Sequence, residues 1–250
     1  MDWTRNTILI TGGGSGIGRA LAENLYRAGN RVVIAGRRLE VLQATAAEHP
    51  GMQYRHLDLA DPDSIAGLAA ELRDSHSELN VLINNAGVMH TEDLRRGDSG
   101  TRSGIARNTV AVNLLGPMQL TAALLPALLA RPDAAVVSVT SALAFVPKST
   151  APTYSATKAA LHAYTQSLRH QLRDTAVQVI EIIPPQVETD MLAGQNRGAQ
   201  AMSLEAFAAE AMSLLRGHPD ATEIVVDAAR RVRFAARDGH YDDVFAAVNP

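Results

Sequence analysis

The amino-acid sequence predicts an α/β fold in which helices cover both faces of a mainly parallel sheet. Short β-branched runs alternate along the chain with longer amphipathic segments, as expected for repeated βαβ units. Residues within the short runs are apolar at successive positions, as in Val136-Val137-Ser138-Val139, which is typical of strands buried on both faces. With right-handed crossovers, such units form a single doubly wound, Rossmann-type domain.

Six runs are predicted to be strands, and the segments between them to be helices. One helix start is marked by Asp61, Pro62 and Ser64, which precede apolar residues at helical spacing from Ile65 onward. The predicted strands span residues 7–11, 31–35, 53–58, 81–84, 135–139 and 178–183.

Two stretches are predicted to be irregular. Residues 91–104 are polar and rich in glycine, and we expect a mobile surface loop there. Residues 189–203 follow the sixth strand as a second irregular stretch. Because the chain has 250 residues and no repeat, low-complexity tract or linker, we predict one domain over residues 1–250.

Charge and composition argue against several classes of protein. The formal net charge is -3 and no block of like charge occurs, so binding to nucleic acid is not expected. The absence of cysteine excludes disulfides and thiolate metal sites and suits the reducing cytoplasm. The eight histidines show no spacing such as HExxH, so no metal site is predicted.

Neither export nor a membrane span is predicted. Residues 1–7 leave no room for a signal peptide before the first strand, so we expect a cytoplasmic protein. The most apolar long stretch, residues 110–130, is predicted to be a buried helix pair or a kinked helix because polar and helix-bending residues interrupt it. These residues are Asn113, Gly116, Pro117, Gln119 and Pro126.

A glycine-rich turn, TGGGSGIG at residues 11–18, lies between the first strand and a helix-forming run. A helix start offers unpaired N–H groups and the positive end of the helix dipole, and glycines allow the backbone to approach a pyrophosphate. The GxxxGxG spacing of Gly12, Gly16 and Gly18 differs from the common GxGxxG fingerprint, and a purely structural turn is the alternative. We predict a phosphate-binding turn.

Further motifs follow this turn in order. Asn84-Asn85-Ala86-Gly87 closes the fourth strand, Asn113 lies in the next helical segment, and Ser141 precedes Tyr154 by thirteen residues. The stretch YSATK spans residues 154–158. With TGxxxGxG, this series resembles the short-chain dehydrogenase/reductase family, whose NNAG and YxxxK motifs it matches over almost the whole chain. Residues 144–147, 184–189 and 241–249 resemble the DltE-like branch of that family.

The pairing of Tyr154 with Lys158 points to acid–base chemistry on its own. The chain has only two lysines, so a lysine four residues after a tyrosine rarely arises by chance. Positions i and i+4 share a helix face, and a neighbouring ammonium favours the phenolate and lowers the pKa of a tyrosine from about 10. We predict that Tyr154 transfers the proton and that Lys158 assists it. An ordinary exposed helix pair is the alternative.

Two further residues are predicted to be catalytic. Ser141 follows the fifth strand at the sheet edge where ligands bind in open α/β folds, and we expect it to hydrogen-bond the substrate oxygen. Capping the next segment is its alternative role. The family resemblance implies that Asn113 anchors a water linked to Lys158 and that Lys158 holds the nicotinamide ribose. A buried asparagine satisfied by backbone groups is the alternative for Asn113.

Arginines after the second strand indicate the cofactor. Arg37 and Arg38 lie where this fold meets the adenosine ribose, and a guanidinium there attracts a 2′-phosphate that an acidic residue would repel. We therefore predict that NADP is preferred and that NAD remains possible. A solvated arginine beside a NAD site is the alternative. Asp58 matches the family residue at the adenine ring, with helix capping as a competing role.

The clearest departure from the family is Pro185, where PGxVxT usually has glycine, because proline lacks the N–H that a carboxamide contact would use. The predicted cofactor-binding residues are Gly12, Ser15, Gly16, Ile17, Gly18, Arg37, Arg38, Asp58, Leu59, Asn85, Ala86, Gly87, Tyr154, Lys158, Pro184, Val187 and Thr189.

The sequence thus predicts an NAD(P)-dependent oxidoreductase acting on a small-molecule carbonyl or alcohol. The alternatives are a catalytically silent dinucleotide-binding sensor and a lyase or isomerase on the same fold. The family resemblance implies a homodimer or homotetramer formed through the helices that carry Asn113 and Tyr154. Candidate substrate-pocket residues are mostly apolar, which favours an uncharged or partly apolar substrate: Met89, His90, Ala142, Leu143, Met191 and Leu192.

Overall fold

The computed structural model of the protein describes residues 1–95, 99–189 and 201–250. These residues build a seven-stranded sheet of order β3-β2-β1-β4-β5-β6-β7, in which all neighbouring strands are parallel. After β1, the chain adds β2 and then β3 on one side of β1. It then crosses to the other side of β1, where it adds β4, β5, β6 and β7 in order. The doubly wound, Rossmann-type fold is confirmed. The strands are β1 Thr7–Thr11, β2 Arg31–Gly36, β3 Gln53–His56, β4 Val81–Asn84, β5 Ala134–Val139, β6 Val177–Ile183 and β7 Glu223–Val225.

Helices cover both faces of the sheet, and successive strand residues point into different layers. Ile8 and Ile10 of β1 lie in one buried hydrophobic cluster, and Leu9 lies in the other. Both faces are therefore dry, which explains the unbroken apolar runs. The helices in the described ranges are α1 Gly16–Arg27, α2 Leu39–Ala47, α3 Pro62–Ser75, α4 Ser99–Val110, α5 Gly116–Leu129, α6 Pro152–Gln171, α7 Leu204–Gly217, α8 Asp227–Arg233 and α9 Tyr241–Val248.

The observed strands differ little from the predicted ones. β1 and β4 have the predicted bounds, whereas β3 ends at His56 instead of Asp58. Asp58 has turned away from the sheet, because its N–H donates to Ser64 Oγ and its Oδ1 accepts from the N–H of Ala60. The seventh strand was not predicted, since three residues are too short for a recognisable period.

The prediction of a mobile surface loop over residues 91–104 is wrong for residues 99–104, which are helical, whereas residues 91–95 are irregular as predicted. Glu92 is 7% exposed, and α4 begins at Ser99. Residues 96–98 lie outside the described part. Because α4 packs against α6, tertiary contacts override the weak helix propensity of its two glycines. The predicted irregular stretch 189–203 is mostly outside the described residues as well, although Val187 and Met202 form a parallel bridge.

Residues 110–129 form one helical run, so of the two predicted alternatives, a buried helix pair or a kinked helix, the helix pair is wrong. A π-turn over Ala111–Leu115 joins α4 to α5, and Leu120, Leu124 and Leu128 are buried against the sheet. The helical stretch Gly104–Leu129 is long and apolar enough to cross a membrane by those two criteria alone, and 44% of its most apolar window is buried inside the structure. A core helix passes the same test.

Candidate active site

The candidate site lies at the carboxyl edge of the sheet, where the glycine turn after β1 meets the end of β4. Gly12 has φ +70° and Gly16 has φ +52°, a region that favours glycine. A Cβ on Gly18 would lie 2.3 Å from the carbonyl oxygen of Gly12 and 2.3 Å from Asn85 Nδ2. The turn therefore folds back on itself so tightly that a side chain at residue 18 would disrupt it.

Thr11 fastens this turn to the NNAG segment. Its Oγ1 accepts from the backbone N–H groups of Asn85 and Ala86, each at 3.0 Å. In return, Asn85 Nδ2 donates to the carbonyl oxygen of Thr11 at 2.9 Å. These contacts bring the two predicted cofactor-binding segments together, and they leave the first N–H groups of α1 at the sheet edge.

The predicted adenosine end lies beside the same turn. Arg38 Nη2 donates to Ser15 Oγ at 3.0 Å, so one predicted residue after β2 contacts another at the start of α1. Arg37 is exposed. Leu59 is buried, and its backbone approaches Gly116 closely enough that a Cβ there would lie 2.4 Å from the Leu59 oxygen.

Asp58 occupies the predicted edge without serving the competing role. Its carboxylate closes a local turn to Ala60. The N-terminus of α3 is instead capped by Asp61, which accepts from the N–H of Asp63 at 3.0 Å. The Asp58 side chain is half-buried and remains at the edge of the predicted cofactor groove.

Tyr154 and Ser141 are in direct contact. Ser141 Oγ accepts the N–H of Leu143 at 3.1 Å, so it caps the short helix Ala142–Ala144. The hydroxyl proton remains available, and a hydrogen bond from Ser141 to the phenol acts to lower the pKa of Tyr154. Capping and contact with Tyr154 are thus compatible roles for one hydroxyl.

Burial decides the protonation of both Tyr154 and Lys158. Removing the phenol from water raises the pKa of Tyr154 to about 12, against the effect of Ser141. Burial also lowers the pKa of Lys158 to about 8, while the negative charge of Glu181 acts in the opposite direction. The tyrosine pKa therefore moves opposite to the prediction, because desolvation of the phenol outweighs the hydrogen bond with Ser141.

Lys158 lies close to Tyr154 but is hydrogen-bonded elsewhere. Its Nζ is 5.7 Å from the centre of the phenol ring and donates to the carbonyl oxygen of Val139 at 2.8 Å. Gly87 faces the same ammonium, since a Cβ on Gly87 would lie 3.6 Å from Nζ and 3.4 Å from Asn113 Oδ1. The missing side chain keeps open the space beside Lys158.

Asn113 belongs to the π-turn and is fully buried. Its Oδ1 accepts from the N–H of Val88 and its Nδ2 donates to the oxygen of the same residue, both at 2.8 Å. The second Nδ2 hydrogen reaches Thr157 Oγ1 at 3.2 Å, and Thr157 Oγ1 donates to the backbone carbonyl oxygen of Tyr154 at 2.7 Å. The Asn113 side chain thus joins the segment after β4 to α6. These contacts correspond to the alternative role, a buried asparagine whose hydrogen bonds are satisfied by backbone groups.

The segment after β6 closes the site. The N–H of Ala142 donates to the Pro184 oxygen at 2.9 Å, which joins this segment to the Ser141 loop. Thr189 lies beside the glycine turn, since a Cβ on Gly16 would be 3.3 Å from Thr189 Cγ2. Val187 is half-buried next to this contact.

The candidate substrate residues are only partly placed. Ala142 is buried, Leu143 and Met89 are half-buried, and His90 is exposed. Met191 and Leu192 lie outside the described residues.

The short chain dehydrogenase family model matches residues 6–200. The oxidoreductase DltE of Bacillus subtilis (strain 168) is 37% identical over 252 residues, covering 100% of this chain and 98% of that one. The chain belongs to the short-chain dehydrogenase family of oxidoreductases. The DltE match confirms the predicted DltE-like branch.

Two solved structures share the fold of this short-chain dehydrogenase. One is a short chain dehydrogenase from Burkholderia cenocepacia J2315 in complex with NADP, with a TM-score of 0.82, 24% identity and 99% coverage of each chain. The other is 3-ketoacyl-(acyl-carrier-protein) reductase from Brucella melitensis with NADH, with a TM-score of 0.82, 22% identity and coverage of 92% of this chain and 99% of that one.

Two acidic residues beside the site of this short-chain dehydrogenase were missed by sequence reasoning. Glu92 accepts from Thr153 N–H at 3.1 Å and from Thr153 Oγ1 at 2.7 Å, so it caps α6 from a distant loop. Glu181 is fully buried on β6. A charged residue inside a mostly apolar strand was the available signal for Glu181. Glu92 had no such signal, because its partner is 61 residues away.

Proposed function

We propose that this short-chain dehydrogenase transfers hydride between a nicotinamide dinucleotide and a carbonyl or alcohol substrate, with Tyr154 as general acid and base. The observation that carries the proposal is the convergence of Ser141, Tyr154, Lys158 and the Asn113–Gly87 contact at one sheet edge. The four side chains come from three separate segments and lie next to one another at this edge. This arrangement suits proton transfer to an oxygen held between a serine and a tyrosine.

The glycine turn fits a dinucleotide by its shape. Side chains at Gly12 or Gly18 would collide with backbone, so the turn keeps its N–H groups accessible to a pyrophosphate. A nicotinamide dinucleotide bound here supplies or accepts the hydride. The rest of the groove would be lined by the predicted edge residues, from Asp58 and Leu59 to Val187 and Thr189.

NADP is the proposed preferred cofactor, with NAD as a possible second. The Arg38 guanidinium lies beside Ser15, Arg37 next to it in the chain is exposed, and a glycine, Gly36, immediately precedes them. Guanidinium groups bind phosphate through charge-assisted hydrogen bonds. The relatives of known structure bind NADP in one case and NADH in another, which is compatible with this choice.

The raised pKa of Tyr154 supports its proposed role as the general acid in carbonyl reduction. With its pKa raised to about 12, Tyr154 keeps its proton at neutral pH and can donate it to a carbonyl oxygen. When a substrate binds, the single O–H of Ser141 can turn from the phenol to the same oxygen, while Ser141 Oγ continues to accept the N–H of Leu143. Lys158 retains two N–H donors beyond its bond to Val139, and these suit the ribose hydroxyls of the cofactor.

Substrate, location and assembly complete the proposal. The half-buried apolar residues Met89 and Leu143 suit an uncharged or partly apolar carbonyl compound. We propose a cytoplasmic enzyme. A homodimer or homotetramer through α5 and α6 is supported by Leu115 and Leu129, which are 46% and 44% exposed on that side of the chain.

A library of aldehydes, ketones and alcohols, screened with NADPH, NADP, NADH and NAD at 340 nm, tests the reaction class. Tyr154→Phe should lower kcat roughly 10²–10⁴-fold, as expected for loss of a general acid, while cofactor Kd stays the same. Tyr164→Phe is the matched control, because Tyr164 is half-buried on the same helix. Retention of more than about a tenth of kcat in Tyr154→Phe would contradict the role. Substrate conversion without net absorbance change would favour a lyase or isomerase.

A further inference from the structure

A polar stripe runs along the buried side of α6. Tyr154 and Lys158 are continued one turn later by His162, and then by Thr165 and Arg169. Each of the later residues makes a polar contact with the sheet: Thr165 Oγ1 with Ser138 Oγ at 2.9 Å, and Arg169 Nε with the Val179 oxygen at 2.8 Å. A helix that covers a sheet normally presents apolar residues there. The polar residues on this side of α6 therefore need polar partners within the sheet.

That partner is Glu181, which is fully buried in the middle of β6. Its Oε1 accepts from Thr140 Oγ1 at 2.6 Å, and its Oε2 lies 2.7 Å from His162 Nδ1. Thr140 directly follows Val139, whose oxygen accepts from Lys158 Nζ. One oxygen of the Glu181 carboxylate is therefore bound to Thr140, next to the residue that accepts a hydrogen bond from Lys158. The other contacts His162 on α6, the helix that carries Lys158.

We propose that Glu181 is the buried counter-charge of Lys158, positioned by Thr140 and His162, and that it keeps Lys158 protonated in the working enzyme. A buried carboxylate is costly unless hydrogen bonds and an opposite charge compensate it. Lys158 is equally costly alone, because it is only 3% exposed. Each charge thus makes the burial of the other tolerable.

The electrostatics agree with this geometry. Burial lowers the pKa of Lys158, and Glu181 is the charge that raises it again. The other charged groups near Glu181 are His162 and Arg169 on α6, and Glu223 on β7, which Arg233 of α8 binds through two 2.9 Å contacts. Because the Arg233 guanidinium already neutralises Glu223, Glu181 remains the carboxylate available to Lys158.

Phe145 closes this cluster from the Ser141 loop. Its ring is edge-on to His162 at 4.7 Å, and the Arg233 guanidinium lies 4.1 Å from its centre. His162, Glu181 and Glu223 have ligand atoms within 4.8 Å of one another, as a metal site would. The Arg233 guanidinium, however, already supplies a cation at Glu223, so these contacts favour the counter-charge role.

The scarcity of lysine allows a direct test that does not depend on turnover. Protein labelled with [13C-ε]lysine gives two lysine signals, from Lys148 and Lys158, and Lys148→Arg assigns them. The signal of Lys158 is titrated against pH in the wild type and in Glu181→Gln, which removes the charge but keeps the shape. Glu223→Gln is the matched control. The Lys148 signal reports changes common to all samples.

We expect the titration midpoint of Lys158 to fall in Glu181→Gln, by up to roughly one to three pH units, because an opposite charge inside the fold is lost. It should not change in Glu223→Gln. If Glu181→Gln does not fold, Glu181→Asp, which moves the charge back by one methylene, should give a smaller fall. An unchanged Lys158 midpoint in whichever variant folds would overturn the proposal.

The kinetic consequence rests on the proposed function, whereas the titration does not. In the active enzyme, Glu181→Gln should move the alkaline limb of kcat/KM to lower pH, and Glu181→Asp should restore part of the range. A lysine shift in a protein without redox activity would support the counter-charge and refute only the proposed reaction. Redox activity without a shift of the Lys158 midpoint would support the proposed reaction and refute the counter-charge.

Discussion

Replacing Arg37 by alanine should selectively weaken NADPH binding. A hydrogen bond to a charged group is worth about 1.5–3 kcal/mol, and solvent screening places an exposed arginine at the lower end. About 1.5 kcal/mol corresponds to roughly a tenfold rise in the NADPH Kd, with little change for NADH. Arg37→Asp should weaken NADPH further, because a carboxylate repels the 2′-phosphate.

Arg38 is also expected to contact the 2′-phosphate, so both arginines are substituted in this experiment. Arg38 is held 3.0 Å from Ser15 Oγ, so Arg38→Ala should also weaken NADPH binding. Kd for both reduced cofactors is measured by nucleotide fluorescence at one fixed ionic strength, for both single variants and the double variant. The proposed contact between Arg37 and the 2′-phosphate is refuted if the wild type binds NADPH and NADH equally, or if Arg37→Ala weakens the binding of both cofactors by the same factor.

Three further predictions concern the glycine turn, the cap of α6 and the ammonium. Gly18→Ala should weaken cofactor binding by at least about tenfold in a titration, because its Cβ would lie 2.3 Å from the Gly12 oxygen, whereas Gly67→Ala, with open space around it on α3, should leave the Kd unchanged. Equal Kd values in both variants would contradict this. Glu92→Gln should cost about 1 kcal/mol, or roughly 2–4 °C in Tm, since the buried cap of α6 loses its charge, and exposed Glu40→Gln at the start of α2 should change Tm less. A Tm equal to the wild type would remove Glu92 from this role. Finally, kcat/KM should fall as pH rises through about 8, because Lys158 loses its proton there, and a flat profile from pH 7 to 10 would contradict that assignment.

The sequence predicted the fold well because local patterns carried it. β1 and β4 were predicted with their observed bounds, since each is a short β-branched run with a turn signal directly after it. The π-turn and α4 were not predicted. Both depend on packing against α6, and a polar, glycine-bearing stretch such as 99–104 gives no local sign of that contact.

The candidate site was likewise predictable only in part. Residue type and spacing were enough to single out Tyr154 and Lys158, because the chemistry needs a phenol and an ammonium on one helix face. Their protonation was not predictable, since it depends on how much water each group loses. Burial raised the pKa of Tyr154, whereas the sequence had suggested a decrease.

Periodicity and short spacings along the chain are enough to predict most of the elements and the motif residues that lie at the carboxyl edge of the sheet. The pairing of charges that are distant in the chain depends on how the elements pack together. Glu181 reaches His162 across 19 residues, and Glu92 reaches Thr153 across 61. Such contacts arise when β6, α6 and the loop after β4 pack together. Their energies depend on burial, which no single segment of the chain encodes.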